Sequence, residues 1–130
     1  MKTIVVALLL VLPSAAGAQQ SEPARGIGYP SVAAALDALK ARSDVRIENQ
    51  GGWIIVTDRK DSTLWSFTPP GHAAHPAAVK RAILQQDGAI YVQMRILCQA
   101  DKAPCDKLVA DFEALNEQMK AEIQKSKQGR

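Results

Sequence analysis

The side chains that could do chemistry fall in two short stretches of this 130-residue chain. The first is Trp65-Ser66-Phe67-Thr68-Pro69-Pro70-Gly71-His72-Ala73-Ala74-His75-Pro76, which holds both histidines. Three prolines restrict its backbone, so it reads as a stiff loop following two aromatics. Imidazoles on such a loop could bind Cu or Zn. His72 and His75 reach one metal only if the chain turns between them, and no acid, Cys or Met within the loop adds a further ligand. In a second reading the histidines satisfy backbone groups of a surface loop while Trp65 and Phe67 enter the core. In a third, Trp65, Phe67 and the loop form a recognition surface for another protein.

The second stretch runs from Cys98 to Cys105, the only two cysteines. A catalytic dithiol is usually C-x-x-C, and a zinc site needs two more ligands close by. A structural disulfide suits the spacing better, and closing so short a loop stabilises by about 2–3 kcal/mol in the chain-entropy model.

Motifs for catalysis are missing: there is no G-x-S-x-G, no H-E-x-x-H and no phosphate-binding glycine loop. Asp58 and Asp61 lie close together, but in turn chemistry that Asx residues supply routinely. No catalytic residue is assigned and a non-enzymatic role is expected. A hydrolase would need His72 or His75 in a concave site beside Ser66 or an aspartate.

These residues are carried by a chain whose first eighteen positions read as a secretory signal peptide. Lys2 forms the positive n-region and Ile4 to Leu12 the apolar h-region. Ala16-Gly17-Ala18 is a small-x-small cleavage site, so export to the periplasm or beyond follows cleavage near Ala18-Gln19. The apolar run is too short to span a bilayer, and no cysteine follows it to take a lipid, so no transmembrane anchor is expected. Removing eighteen of 130 residues leaves 112, enough for one domain, and in an oxidising compartment the cysteines can pair. The formal charge is +3, from 16 basic and 13 acidic side chains that interleave, which argues against nucleic acid as a partner.

Residues 19–28 are polar and read as a flexible leader. Ser31 is a good N-cap for a short amphipathic helix near 32–42, with Val32, Leu36 and Leu39 on one side. The period then changes to two. Strands are expected from Val45, over Trp53-Ile54-Ile55-Val56, over Thr63-Leu64-Trp65-Ser66-Phe67, and over 79–85 and 91–98. Asn49-Gln50-Gly51-Gly52 and Asp87-Gly88 are turns between them. Pro104 opens a final helix near 104–124, with Leu108, Phe112, Leu115, Met119 and Ile123 as its stripe. Residues 125–130 form a basic tail. The expected fold is a single α+β domain over 29–124: an antiparallel sheet of four to five strands, with both helices packed on one face.

The run Leu64-Trp65-Ser66-Phe67-Thr68-Pro69, then Gly71-His72, His75-Pro76 and Val79-Lys80-Arg81, resembles small exported proteins of proteobacteria. The likeness extends through Cys98 to Cys105-Asp106-Lys107-Leu108-Val109. It implies an envelope location and domain limits, and no activity. The function expected from these readings is a periplasmic binding or accessory module that recognises another envelope protein, without a cofactor. Tyr91, Gln93 and Arg95 alternate along one strand and, with the proline loop, supply interface chemistry. Metal handling at His72 and His75, and an inhibitor or immunity-type role, are the alternatives.

Overall fold

The computed structural model of this chain describes residues 26–129. The expected signal peptide, most of the expected leader and Arg130 lie outside the described residues. Helix α1 (Val32–Lys40) precedes strands β1 (Arg46–Gln50), β2 (Trp53–Asp58), β3 (Thr63–Phe67), β4 (Ala77–Gln86) and β5 (Ala89–Cys98), and helix α2 (Lys102–Gln128) ends the fold. The strands form one antiparallel meander in the order β1-β2-β3-β4-β5. This is the expected α+β class.

Turn chemistry sets the meander. Gln50 pairs with Trp53 across Gly51-Gly52, both at positive φ, as a two-residue hairpin demands. Gln86 pairs with Ala89 across Asp87-Gly88 in the same way. A side chain at Gly52 would also meet Pro69, whose Cβ lies 3.1 Å from where one would begin, so this turn packs on the proline loop.

The two helices do not share a face. Val32, Ala35 and Leu39 of α1 join Val56, Trp65, Phe67 and Ala78 in one buried cluster. Leu108 and Phe112 of α2 join Ala74, Ala77 and Val79 in another, with Trp53, Met94 and Ile96 packed against it. Neighbours such as Ala78 and Val79 point to opposite sides of a strand, so α1 and α2 lie on opposite faces of the sheet. The expectation of one covered face fails because β2 to β4 are apolar at consecutive positions, not at alternate ones. Such strands must be buried on both sides.

Two boundaries and one buried position also shift. Ile27, assigned to the leader, is 1% exposed and belongs to the α1 cluster. Helix α2 runs on to Gln128, so Lys125 and Lys127 are its last turn and not a separate tail. Within α2 the buried positions are Leu108, Phe112 and Asn116, whereas Leu115, placed on the buried stripe, is exposed.

Two devices tie the helices down. The sulfurs of Cys98 and Cys105 are 2.07 Å apart, a disulfide that joins the end of β5 to the first turn of α2. At α1, the Ser31 hydroxyl caps the helix by accepting from the Ala34 amide at 3.0 Å, and the Val32 amide donates to Gln99 Oε1 at 3.1 Å. Just beyond α1, Arg42 donates to both Asp44 oxygens and, at 2.8 Å, to Asp58 Oδ2. The hydrogen bonds with Asp44 hold that carboxyl below its ordinary range and the guanidinium above its own.

Asp58 is 2% exposed, so losing its cation strands a buried carboxylate. Arg42→Met is expected to cost about 3 kcal/mol in urea unfolding, with most of it recovered in Arg42→Met/Asp58→Asn. Cys98→Ser/Cys105→Ser is expected to cost about 2–3 kcal/mol, measured the same way.

Candidate functional site

Helix α2 lies over β4 and β5 and leaves part of β2 and β3 uncovered on the same face. Between them runs a groove of about 330 Å³. Its walls are Trp53 and Ile55 of β2 and Leu108, Phe112 and Leu115 of α2. Ser66, His72, Arg81 and Asp111 add polar groups to the lining.

Arg81 is the unusual member. It sits on β4 opposite Met94 and Leu64, on the face that α2 covers, and is 7% exposed. Its guanidinium lies 5.0 Å from the Phe112 ring centre. Its Nη1 donates a long bond, 3.4 Å, to Asn116 Oδ1, and Asn116 in turn reaches Met94 Sδ. Its buried Nε has no hydrogen-bond partner. No ion pair among the described residues includes Arg81, and burial alone pushes its pKa down. A cation removed from water without a counter-charge is costly, and a ring face with one long amide bond offsets part of that cost.

The proline loop forms one end of the groove. Thr68 closes it: the Thr68 amide donates to Ala77 O at 3.1 Å, and Thr68 Oγ1 accepts from the Ala77 amide at 2.9 Å. The His72 amide donates to Pro69 O and the His75 amide to His72 O, each at 3.0 Å, so the segment is two successive tight turns. The His72 ring meets Trp53 edge-on at 5.1 Å.

Those hydrogen bonds fix what the histidines can do. His72 Nδ1 accepts from the Ala74 amide at 3.0 Å, so the neutral ring carries its hydrogen on Nε2. In this loop conformation it has no free lone pair, either for the Ser66 proton or for a metal. It shares the groove with Ser66 and Asp111, yet a general base needs the opposite arrangement, with Nδ1–H donating to an acid. His75 is the reverse case. Its Nδ1 faces the Thr68 carbonyl at 3.0 Å, an oxygen that can only accept, so Nδ1 carries the hydrogen and Nε2 is free. One imidazole of the pair therefore offers a ligand atom. Among the described residues no three His, Cys, Asp or Glu side chains gather as a metal site.

The residues picked from sequence are not brought together. His72 lines the groove, and His75 is exposed at the base of the loop, beside Thr68 and the start of β4. Trp65 and Phe67 are 3% and 2% exposed, stacked on each other beneath α1. They are core and not recognition surface, because both side chains point to the face that α1 covers. Tyr91 is 51% exposed and Arg95 half-buried, on that same face beyond the reach of α1. A second cleft, about 460 Å³, opens beside α1 between Tyr29, Arg42, Asp58 and Lys80, but its arginine and Asp58 are already paired.

Trp53, Leu115 and Arg81 were missed. Trp53 read as a strand residue and Leu115 as core. The signal for Arg81 was its adjacency to Lys80, which puts a cation on each face of β4. Neither a family model, a curated protein nor a solved structure matches this chain. No helix among the described residues is long and apolar enough to cross a membrane. The bonded cysteine pair is compatible with an oxidising compartment.

If Arg81 is retained for a ligand and not for the fold, removing it with its amide partner should not weaken the protein. Arg81→Met/Asn116→Leu is expected to melt at or above the unsubstituted chain's temperature, read by calorimetry.

Proposed function

We propose that this chain is a non-enzymatic recognition module of the bacterial envelope, working in the periplasm or outside the cell after its signal peptide is removed. It binds another envelope protein by taking an apolar, carboxylate-bearing segment into the groove between α2 and β2. The observation that carries this reading is the largely buried guanidinium of Arg81, with an unpaired Nε and no counter-charge among the described residues, in a groove walled mainly by Trp53, Ile55, Phe112 and Leu115.

The groove has the anatomy of an interface anchor pocket: apolar and aromatic walls, one arginine, and a polar margin of Ser66, His72 and Asp111. A carboxylate delivered beside Arg81 turns a stranded charge into a charge-assisted hydrogen bond in a low-dielectric setting. Neutral apolar segments would bury the cation further and are selected against. The walls are also set before a partner arrives. Trp53 is held by His72 on one side and Phe112 on the other, and the loop behind it is tied at Thr68, which lowers the ordering cost of binding. An enzyme restrained by this module, as by an inhibitor or immunity-type protein, is one such partner.

The test is a photo-crosslinking residue at Leu115 in the full chain, expressed in intact cells. A discrete adduct is expected whose yield falls at least tenfold in Arg81→Met and is unchanged in Leu84→Ala, a substitution on the opposite face. With the adduct's partner purified, Arg81→Met should weaken binding by roughly tenfold to a hundredfold. An adduct insensitive to Arg81→Met would refute the reading. So would micromolar binding of Cu(II) or Zn(II) that disappears in His72→Ala/His75→Ala, with no adduct at Leu115.

A further inference from the structure

The sheet has two edges, and they differ in kind. Strand β1 is five residues, Arg-Ile-Glu-Asn-Gln, short and polar as sheet edges usually are. Strand β5 is ten residues, Ala-Ile-Tyr-Val-Gln-Met-Arg-Ile-Leu-Cys, with one charge and no proline or glycine. Its pairing with β4 runs unbroken from Ala77↔Cys98 to Gln86↔Ala89, so no bulge turns it aside. Apart from Arg95, the strand itself carries none of the usual devices against edge-to-edge pairing.

The ladder fixes which backbone groups of β5 are free. Thr68 donates to Ala77 O and Ile83 donates to Ser62 O, so odd-numbered residues of β4 bond to β3. Even-numbered residues of β4 then bond to β5, as the Gln99 amide on Pro76 O continues. In β5, odd-numbered residues face β4, and Ile90, Val92, Met94 and Ile96 direct their N–H and C=O groups out of the sheet. Helix α2 packs against one face of β5. A depression of about 300 Å³ remains between Val92 and Met94 and the α2 residues Glu113, Asn116, Glu117 and Lys120.

We propose that a second copy of this chain pairs with that edge, antiparallel, about a two-fold axis at Gln93, to make one ten-stranded sheet. The sequence of the strand is self-complementary about that residue. With Gln93 opposite Gln93 of the second copy, Met94 meets Val92 and Ile96 meets Ile90. All four carry outward backbone groups, so about eight interchain hydrogen bonds close. On the face that α1 leaves open, Tyr91 meets Arg95 of the second copy, in both directions, and the two Gln93 amides meet at the axis. That gives two guanidinium–aromatic contacts and an amide pair, with no like charges opposed. Tyr91 is 51% exposed in the single chain and has no other partner among the aromatic contacts of the described residues. The pairing is isologous, as closed dimers require, and it leaves the Arg81 groove untouched.

Sedimentation of the unsubstituted chain at tens of micromolar is expected to show a dimer. Tyr91→Lys sets like charges against Arg95 and should weaken it roughly tenfold or more, whereas Tyr91→Glu supplies an opposite charge and should keep it. Gln93→Cys should form an intermolecular disulfide on mild oxidation, because directly opposed residues at such a position are close enough to bridge. Leu84→Cys, exposed on the same face but off the axis, should not. Circular dichroism of each variant separates loss of pairing from loss of fold. A monomer up to several hundred micromolar, or Gln93→Cys that crosslinks no faster than Leu84→Cys, would overturn the proposal. So would protection of the β5 edge seen only with a different protein present.

Discussion

Strands β2 to β4 are apolar on both sides, and the rest of the molecule is arranged around that demand. A meander with one apolar face can settle against a single layer. Trp53-Ile54-Ile55-Val56 cannot, because its neighbours alternate between faces and all four need cover. Helix α1 supplies it on one side through Val32, Ala35 and Leu39, and α2 on the other through Leu108 and Phe112. The three-layer arrangement also explains why the ties at the helix ends matter. Each helix covers its face alone, so Arg42 on Asp58 and the Cys98–Cys105 bridge hold layers that no second helix supports.

Unequal cover is what leaves surface for function. Nine residues of α1 cannot reach the far end of the ten-residue hairpin strands, so Leu84, Tyr91 and Gln93 stay exposed beyond it. Helix α2 is long but lies toward β5, so Trp53 and Ile55 are roofed only at one side. The groove is the unfilled angle between a helix and a sheet, and its walls would have been buried had α2 crossed the sheet centrally. Arg81 lies beneath α2 at the inner side of this angle, where burial strips much of its water without giving it a carboxylate. The same placement that makes the charge expensive makes it a selective contact for an anion.

The proline loop acts as a brace and not as a reactive centre. Its histidines are used in opposite tautomers, one accepting from the Ala74 amide and one donating to the Thr68 carbonyl. Each ring thereby stiffens a tight turn, and His72 buttresses Trp53. Two histidines three apart suggested paired ligation, but the backbone had claimed a nitrogen of each.

From sequence alone, an antiparallel sheet of four to five strands, both hairpin turns, the Ser31 cap, both helices and the cysteine bridge could be read. These depend on local chemistry: φ > 0 at Gly51, Gly52, Asp87 and Gly88, a hydroxyl before a helix, a period of two against 3.6. The tertiary structure decided which face each helix took, because both faces of β2 to β4 were apolar and periodicity has no preference between them. It decided that Leu115 would be exposed and Asn116 buried, since Asn116 and not Leu115 faces Arg81 and Met94 where α2 meets the sheet. It decided, too, that Arg81 and not its neighbour Lys80 would be stranded. Adjacent cations on a strand are equivalent until one face receives a long helix and the other a short one.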